Sequence, residues 1–206
     1  SLMATQLVSR IRDAFQVELP LRDIFDGPTI ANLALLVEQA RRKGESLPPA
    51  IEKSERPPEI PLSFSQQRLW FLDQLSPDNA FYNIPGAIRL SGELDEGAFD
   101  KSIHEIIQRH EVLRTTFAST KGKPRQVIHD HFKNEIEKID LSDDVAQEDK
   151  VTELVTTEAQ TPFHLQDGPL IRIKLIKLSD SQHIVLFNMH HTISDGWSVG
   201  VIVDEF

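Results

Sequence analysis

The chain has 206 residues, 39% of them hydrophobic and 26% charged, the make-up of an ordinary soluble globular protein of one or two domains. A net charge of −10 leaves no basic surplus for general nucleic-acid binding. The absence of cysteine excludes disulfides, thiolate metal sites and a cysteine nucleophile. Ala4, Leu7, Val8, Ile11 and Phe15 recur at helical spacing, and Pro20 predicts the end of that helix near Glu18 or Leu19. A short Leu21 to Phe25 segment is broken by Asp26-Gly27-Pro28. Thr29 then caps a helix whose apolar face is Ile30, Leu33, Leu36, Val37 and Ala40. Residues 1–42 therefore read as an α-helical unit, too small to bury a core easily by itself. Residues 43–60 read as an extended linker, because Pro48, Pro49, Pro57 and Pro58 are interleaved with charges.

Residues 61–206 carry a mixed α/β pattern. Ser63 and Gln66 form a capping box that opens a helix through about Leu75. Asn83 to Ser91 reads as a strand, and Leu94 to His110 as a helix facing inward with Ala98, Phe99, Ile103, Ile106 and Ile107. Leu113 to Ala118 and Arg125 to His129 read as strands joined by Lys121-Gly122-Lys123-Pro124. Asp144 to Gln160 is amphipathic through Val151, Leu154, Val155 and Ala159. Leu170 to Leu178 and His183 to His190 form a hairpin around Ser179-Asp180-Ser181, and a last helix begins near Trp197. No apolar run is long enough for a bilayer span and no secretory signal is present, so no membrane is expected as a partner and a cytoplasmic location is expected. A start at Ser1 without methionine, and an end at Phe206 inside an apolar run, lead us to expect a piece of a longer polypeptide.

The segment Met189-His190-His191-Thr192-Ile193-Ser194-Asp195-Gly196-Trp197-Ser198 carries the chemistry. The run before it, Ile184-Val185-Leu186-Phe187, reads as a buried strand. Neighbouring strand side chains point to opposite faces, so His190 and His191 cannot both look into one cavity, and one of them should act. A histidine at the mouth of a strand is a natural general base. A metal site from His190, His191 and Asp195 is disfavoured, because adjacent strand histidines diverge whereas zinc motifs place ligands on one helix face. Gly196-Trp197-Ser198-Val199-Gly200 spells a hydrolase nucleophile elbow, but the acid and histidine that must follow have only Val201 to Phe206 to occupy.

Three segments in order carry a family resemblance. His190-His191-x-x-x-Asp195-Gly196 resembles the active-site motif of condensation domains of nonribosomal peptide synthetases. Ser63-Phe64-Ser65-Gln66-Gln67-Arg68-Leu69-Trp70-Phe71-Leu72 resembles that family's first core motif, and Arg109-His110-Glu111-Val112-Leu113-Arg114-Thr115-Thr116-Phe117 its second. The resemblance implies a chloramphenicol-acetyltransferase-like fold, of which residues 61–206 supply most of the N-terminal lobe. It implies amide-bond formation by aminolysis of a carrier-bound aminoacyl or peptidyl thioester. His191 would be catalytic, either as base or by orienting and stabilising, and Gly196 would admit a close backbone approach and offer an N–H. His190, Asp195, Arg114 and Arg68 would be structural, with Arg114 as the buried ion-pair partner of Asp195. Trp197-Ser198 resembles peptide-bond-forming rather than epimerising members, and Gln67-Arg68-Leu69-Trp70 with Ile193-Ser194 resembles members that take an L-configured donor. His164, in Pro162-Phe163-His164-Leu165, stands where the family usually has Asp.

Ser1-Leu2-Met3-Ala4-Thr5 and the helix behind it resemble the second helix of a peptidyl carrier domain, with residues 1–42 as its C-terminal part. Alone, a serine at a helix start is an N-cap. The resemblance implies that Ser1 bears 4′-phosphopantetheine, whose phosphodiester suits the unpaired N–H groups of a helix start. The partners implied are adenylation, carrier and condensation domains of the same assembly line and a phosphopantetheinyl transferase.

Overall fold

A computed structural model describes residues 2–44, 47, 49, 52, 55–120, 122–130 and 136–206. Ser1, Pro48 of the linker stretch and Lys121 of the expected turn lie outside the described residues. The chain forms two compact units, residues 1–55 and 56–206, divided within the proline-rich stretch.

The first unit holds α1 (Leu2–Phe15), α2 (Leu21–Asp26) and α3 (Ile30–Lys43). Helix α1 stops before the expected Glu18 or Leu19, because Gln16 adopts a left-handed φ of 54°. Arg12 then reaches Glu18 at 2.5 and 2.6 Å and draws the link back along the helix. That turn delivers Val17 and Leu19 into a small core with Ile11 and Val37. Thr29 Oγ1 accepts the Asn32 N–H at 3.2 Å, and Gly44 closes α3 at φ 64° behind Arg41, Arg42 and Lys43, which face the partial negative charge of the helix end.

The second unit runs β1 (Ile60–Pro61), α4 (Phe64–Leu75), β2 (Asn83–Ser91), α5 (Glu96–Arg109), a 3₁₀ turn (Glu111–Arg114), β3 (Thr115–Thr120), β4 (Lys123–Ile128), β5 (Glu137–Asp140), α6 (Gln147–Gln160), β6 (Ile171–Ser179), β7 (Gln182–His190) and α7 (Gly196–Glu205). One sheet has the order β1-β4-β3 and the other β2-β7-β6-β5. Leu113 and Arg114, expected in a strand, lie instead in the 3₁₀ turn that leads into β3. Strand β5 was not legible, since Glu137-Lys138-Ile139-Asp140 is short and charged; it pairs parallel to β6 at the sheet edge, with α6 as the connection.

The central hairpin β6–β7 explains its own apolar run, because both faces are covered. Ile184 and Leu186 join Ile176, Leu178, Leu141 and Val151 in one cluster. Val185 and Met189 join the larger cluster with Phe99, Ile103 and Ile107 of α5, against which Val199 and Ile202 of α7 also pack. Gly86 on β2 pairs with Phe187, and a Cβ there would lie 2.2 Å from the Phe187 ring. Gly86→Ala should therefore cost about 1–3 kcal/mol in urea unfolding, and most of that cost should vanish in a Phe187→Leu background.

Candidate active site

The site grows from the C-terminal end of β7. The His190 N–H donates to the Leu170 carbonyl at 3.0 Å, and the His191 N–H donates to the Tyr82 carbonyl at 2.8 Å, so the strand end is anchored on both sides. The chain then turns sharply, with the Ile193 N–H on the His190 carbonyl at 3.0 Å. His190, Thr192, Ile193 and Ser194 are buried, while His191 is exposed. The strand ends between the two histidines: His190 is the last residue of β7 and His191 the first of the turn, so the buried and exposed imidazoles belong to different elements.

Their protons are placed oppositely. The Thr192 N–H donates to His190 Nδ1 at 3.2 Å and the Thr192 hydroxyl lies 2.8 Å from the same nitrogen, so His190 carries its proton on Nε2. His191 Nδ1 lies 2.8 Å from the Ser194 carbonyl, which can only accept, so Nδ1 is the donor and, in the neutral ring, Nε2 is the nitrogen with the lone pair. Burial, with a smaller contribution from the adjacent His191, pushes the His190 imidazole down from 6.5 to about 4.

Asp195 caps α7. Its Oδ1 accepts the Ser198 N–H at 2.9 Å and the Ser198 hydroxyl at 2.7 Å, and these bonds hold its carboxyl below the usual range. Ser198 is thus spent on the cap, inside the first turn of a helix rather than on an exposed elbow. The first motif reaches the same place: Gln66 Oε1 accepts the Ser63 N–H at 2.9 Å, while its Nε2 donates to the Thr192 carbonyl at 3.3 Å. An open pocket of about 300 Å³ results, lined by Ser63, Gln66, Leu69, Val112, His191 and Asp195 among others, so all three motifs meet there. A capping box states only the local role of Gln66 and carries no signal of this longer reach.

Two expectations change, those for Arg114 and Arg68. Arg114 does not pair with Asp195: its Nη1 donates to the His129 carbonyl at 2.6 Å and its Nη2 lies 3.7 Å from Glu111, while the Asp195 carboxylate is committed to Ser198. Arg68 does not brace the lobe; it stands on the exposed side of α4 without a hydrogen bond or ion pair among the described residues, and Trp70 of the same helix packs on the core instead. A Cβ at Gly196 would meet nothing within 4 Å, so no close approach within this chain requires glycine there. As the first residue of α7, Gly196 keeps an N–H that has no acceptor inside the helix. His164 lies 3.6 Å from Asp78 at the surface, away from the histidine pocket.

Residues 57–206 match the condensation domain family, and residues 1–37 match the phosphopantetheine attachment site. The chain belongs to the condensation-domain family, with a phosphopantetheine attachment segment ahead of that domain. Two linear gramicidin synthase proteins of Brevibacillus parabrevis are each 45% identical to it, over 210 and 212 residues; these alignments cover 100% of this chain but 4% and 3% of those proteins. Cyclosporin synthetase of Tolypocladium inflatum is 40% identical over 205 residues, covering 100% of this chain and 1% of that protein. The crystal structure of the starter condensation domain of rhizomide synthetase RzmA superposes with a TM-score of 0.68 at 24% identity, covering 72% of this chain and 36% of that one, which establishes the chloramphenicol-acetyltransferase-like fold. Ser1, the residue expected to carry 4′-phosphopantetheine, lies outside the described residues, but the helix behind it fits the group. Helix α1 opens at Leu2 with no acidic residue in its first turn, and Met3 beside that end is 82% exposed, leaving an accessible, uncompensated positive helix end for a phosphodiester. No helix among the described residues is long and apolar enough to cross a membrane.

Two outcomes follow from this geometry. Unfolded, His190 takes up its proton near pH 6.5; folded, near 4. Between those values the unfolded chain binds the extra proton, so stability falls as pH falls. Urea unfolding of the wild type should lose about 2 kcal/mol more than His190→Gln does between pH 7 and pH 5. Asp195→Ala should cost about 1 kcal/mol, the value of a helix cap, and Asp195→Ser should restore most of it; a loss on the order of 3–5 kcal/mol would instead reveal a buried ion pair.

Proposed function

We propose that this chain works in nonribosomal peptide synthesis, its first segment carrying a donor acyl group and its second unit joining that group to the amine of an acceptor. The observation that carries this reading is the contact of His191 Nδ1 with the Ser194 carbonyl at 2.8 Å, which leaves Nε2 as the acceptor of the neutral ring in a residue that lines a pocket reached by all three motifs. When bound, 4′-phosphopantetheine supplies a thiol that holds the acyl group as a thioester. His191 Nε2 orients the incoming amine and takes the proton that it sheds on forming the amide, and the proton leaves with the released thiol. The Gly196 N–H at the start of α7 is a donor for the oxygen on which charge develops. His190 stays neutral and buried, and serves to keep the strand end in place. Asp195 sets the start of α7 and hence the span from His191 to Gly196.

The chain spans only 4% and 3% of the length of the two linear gramicidin synthase proteins, so the partners belong to the proposal: neighbouring adenylation, carrier and condensation domains, and the phosphopantetheinyl transferase that would modify Ser1. An L-configured donor is the finer reading, supported by Gln67-Arg68-Leu69-Trp70 and Ile193-Ser194. In a full-length synthetase carrying this segment, His191→Ala should lower amide formation by about 10²- to 10⁴-fold, while Ser1→Ala should abolish the mass added by coenzyme A and a promiscuous transferase. Unchanged turnover in His191→Ala, with the carrier fully loaded, would contradict the reading.

A further inference from the structure

The turn that leaves α6 is held more firmly than its exposed position explains. Asn83 Nδ2 donates to the carbonyls of Ala159 at 2.8 Å and Thr161 at 2.9 Å. Arg172 Nη1 donates to the Pro162 carbonyl at 3.0 Å, and Nη2 donates to the Thr161 carbonyl at 2.7 Å. Arg172 Nε also meets Glu158 at 2.5 Å, and that carboxylate is 4% exposed. The Glu158 carbonyl in turn accepts from Asn188 Nδ2 at 2.7 Å, and Asn188 is fully buried in β7. A buried charge is kept only where its geometry is well made and hydrogen bonds satisfy it, as they do for Glu158 and Arg172 here.

What the clamp holds is Phe163. The Arg172 guanidinium lies 3.7 Å from the centroid of its ring. Phe163 also meets the His190 ring in an edge-to-face contact with centroids 6.1 Å apart, and Tyr82 meets the same imidazole edge-to-face at 6.3 Å. Asn83, the second arm of the clamp, pairs with His190 in the sheet register and follows Tyr82, whose carbonyl holds the His191 N–H. One polar network therefore sets the wall against His190 and the anchor of His191.

The geometry points to Arg172 and Asn83 as positioning residues for the histidine pair: acting through Phe163 and Tyr82, they fix the direction in which His191 leaves the strand. The hydrophobic cluster around Ile176 and Leu186 already joins β6 and β7 on the α6 side, so sheet cohesion alone does not require them. This inference rests on the condensation reading only for its kinetic arm.

The test compares Asn83→Ala and the double variant Arg172→Met/Glu158→Gln, which leaves no stranded carboxylate, with Leu178→Ala, a control in the other core cluster. The wild-type 206-residue chain and the variants are compared at pH 7 by NMR of the His190 Cε1–H and the His191 backbone amide. Both clamp variants should move both signals, His190 toward the position of free histidine, while Leu178→Ala leaves them in place at a comparable loss of stability. In the full-length synthetase the clamp variants should lower kcat by about ten- to hundredfold at unchanged KM, the penalty of a small misplacement. Histidine signals that stay put in the clamp variants, with only the unfolding midpoint lowered, would overturn the inference. If one clamp variant does not fold, the other decides. If His191→Ala leaves turnover intact, the condensation reading fails, and the NMR comparison still judges the clamp.

Discussion

The end of β7 divides the His-His pair: His190, its last residue, is buried, and His191, the first residue of the turn that follows, is exposed. That division depends on β7 being central in its sheet and covered on both faces, so that its register cannot slip without exposing an apolar row. Register with β2 places Asn83 opposite His190, and the last hydrogen bonds of the strand, to Leu170 and Tyr82, end the alternation there. The turn that follows can then fold back on the two rings.

The consequence is chemical as well as geometric. The same turn offers a donor, Thr192 N–H, to the buried ring and an acceptor, Ser194 carbonyl, to the exposed one. Two identical side chains thereby take opposite tautomers, and burial keeps the first neutral across the physiological range. Asp195 and Gln66 serve this turn from either end, one as the cap of α7 and the other as a reach from the first motif to the Thr192 carbonyl. The site is thus a consequence of how one strand stops.

Much of this was legible in the amino-acid sequence wherever one element decides the outcome. Ser63 with Gln66, Thr29 before Ile30 and the apolar β6–β7 pair carry their instructions within a few residues, and the structure places them as those residues imply. Strand period predicts that His190 and His191 part, although the structure separates them by ending β7 at His190 and placing His191 in the turn. Long-range pairing has no such local signature. Arg114 and Asp195 lie in separate motifs, and the choice between Asp195, Glu111 and the His129 carbonyl as the partner of Arg114 is made by the 3₁₀ turn that carries it, which the sequence pattern presented as strand. Strand β5 is specified by its neighbour β6 rather than by its own charged residues, and the grip of Arg172 and Asn83 on residues 159–162 joins three elements that no periodicity links. Exposure of Arg68 likewise depends on what surrounds α4, which helical spacing does not state.

Everything proposed for the site depends on His191 presenting a lone pair on Nε2 because the Ser194 carbonyl fixes its other nitrogen. Long-range ¹H–¹⁵N spectra of the histidine rings at pH 7 test this directly. His191 should show a protonated Nδ1 and an unprotonated Nε2, and His190 the reverse. A His191 ring that carries its proton on Nε2, or that averages between the two forms while His190 stays fixed, would contradict it.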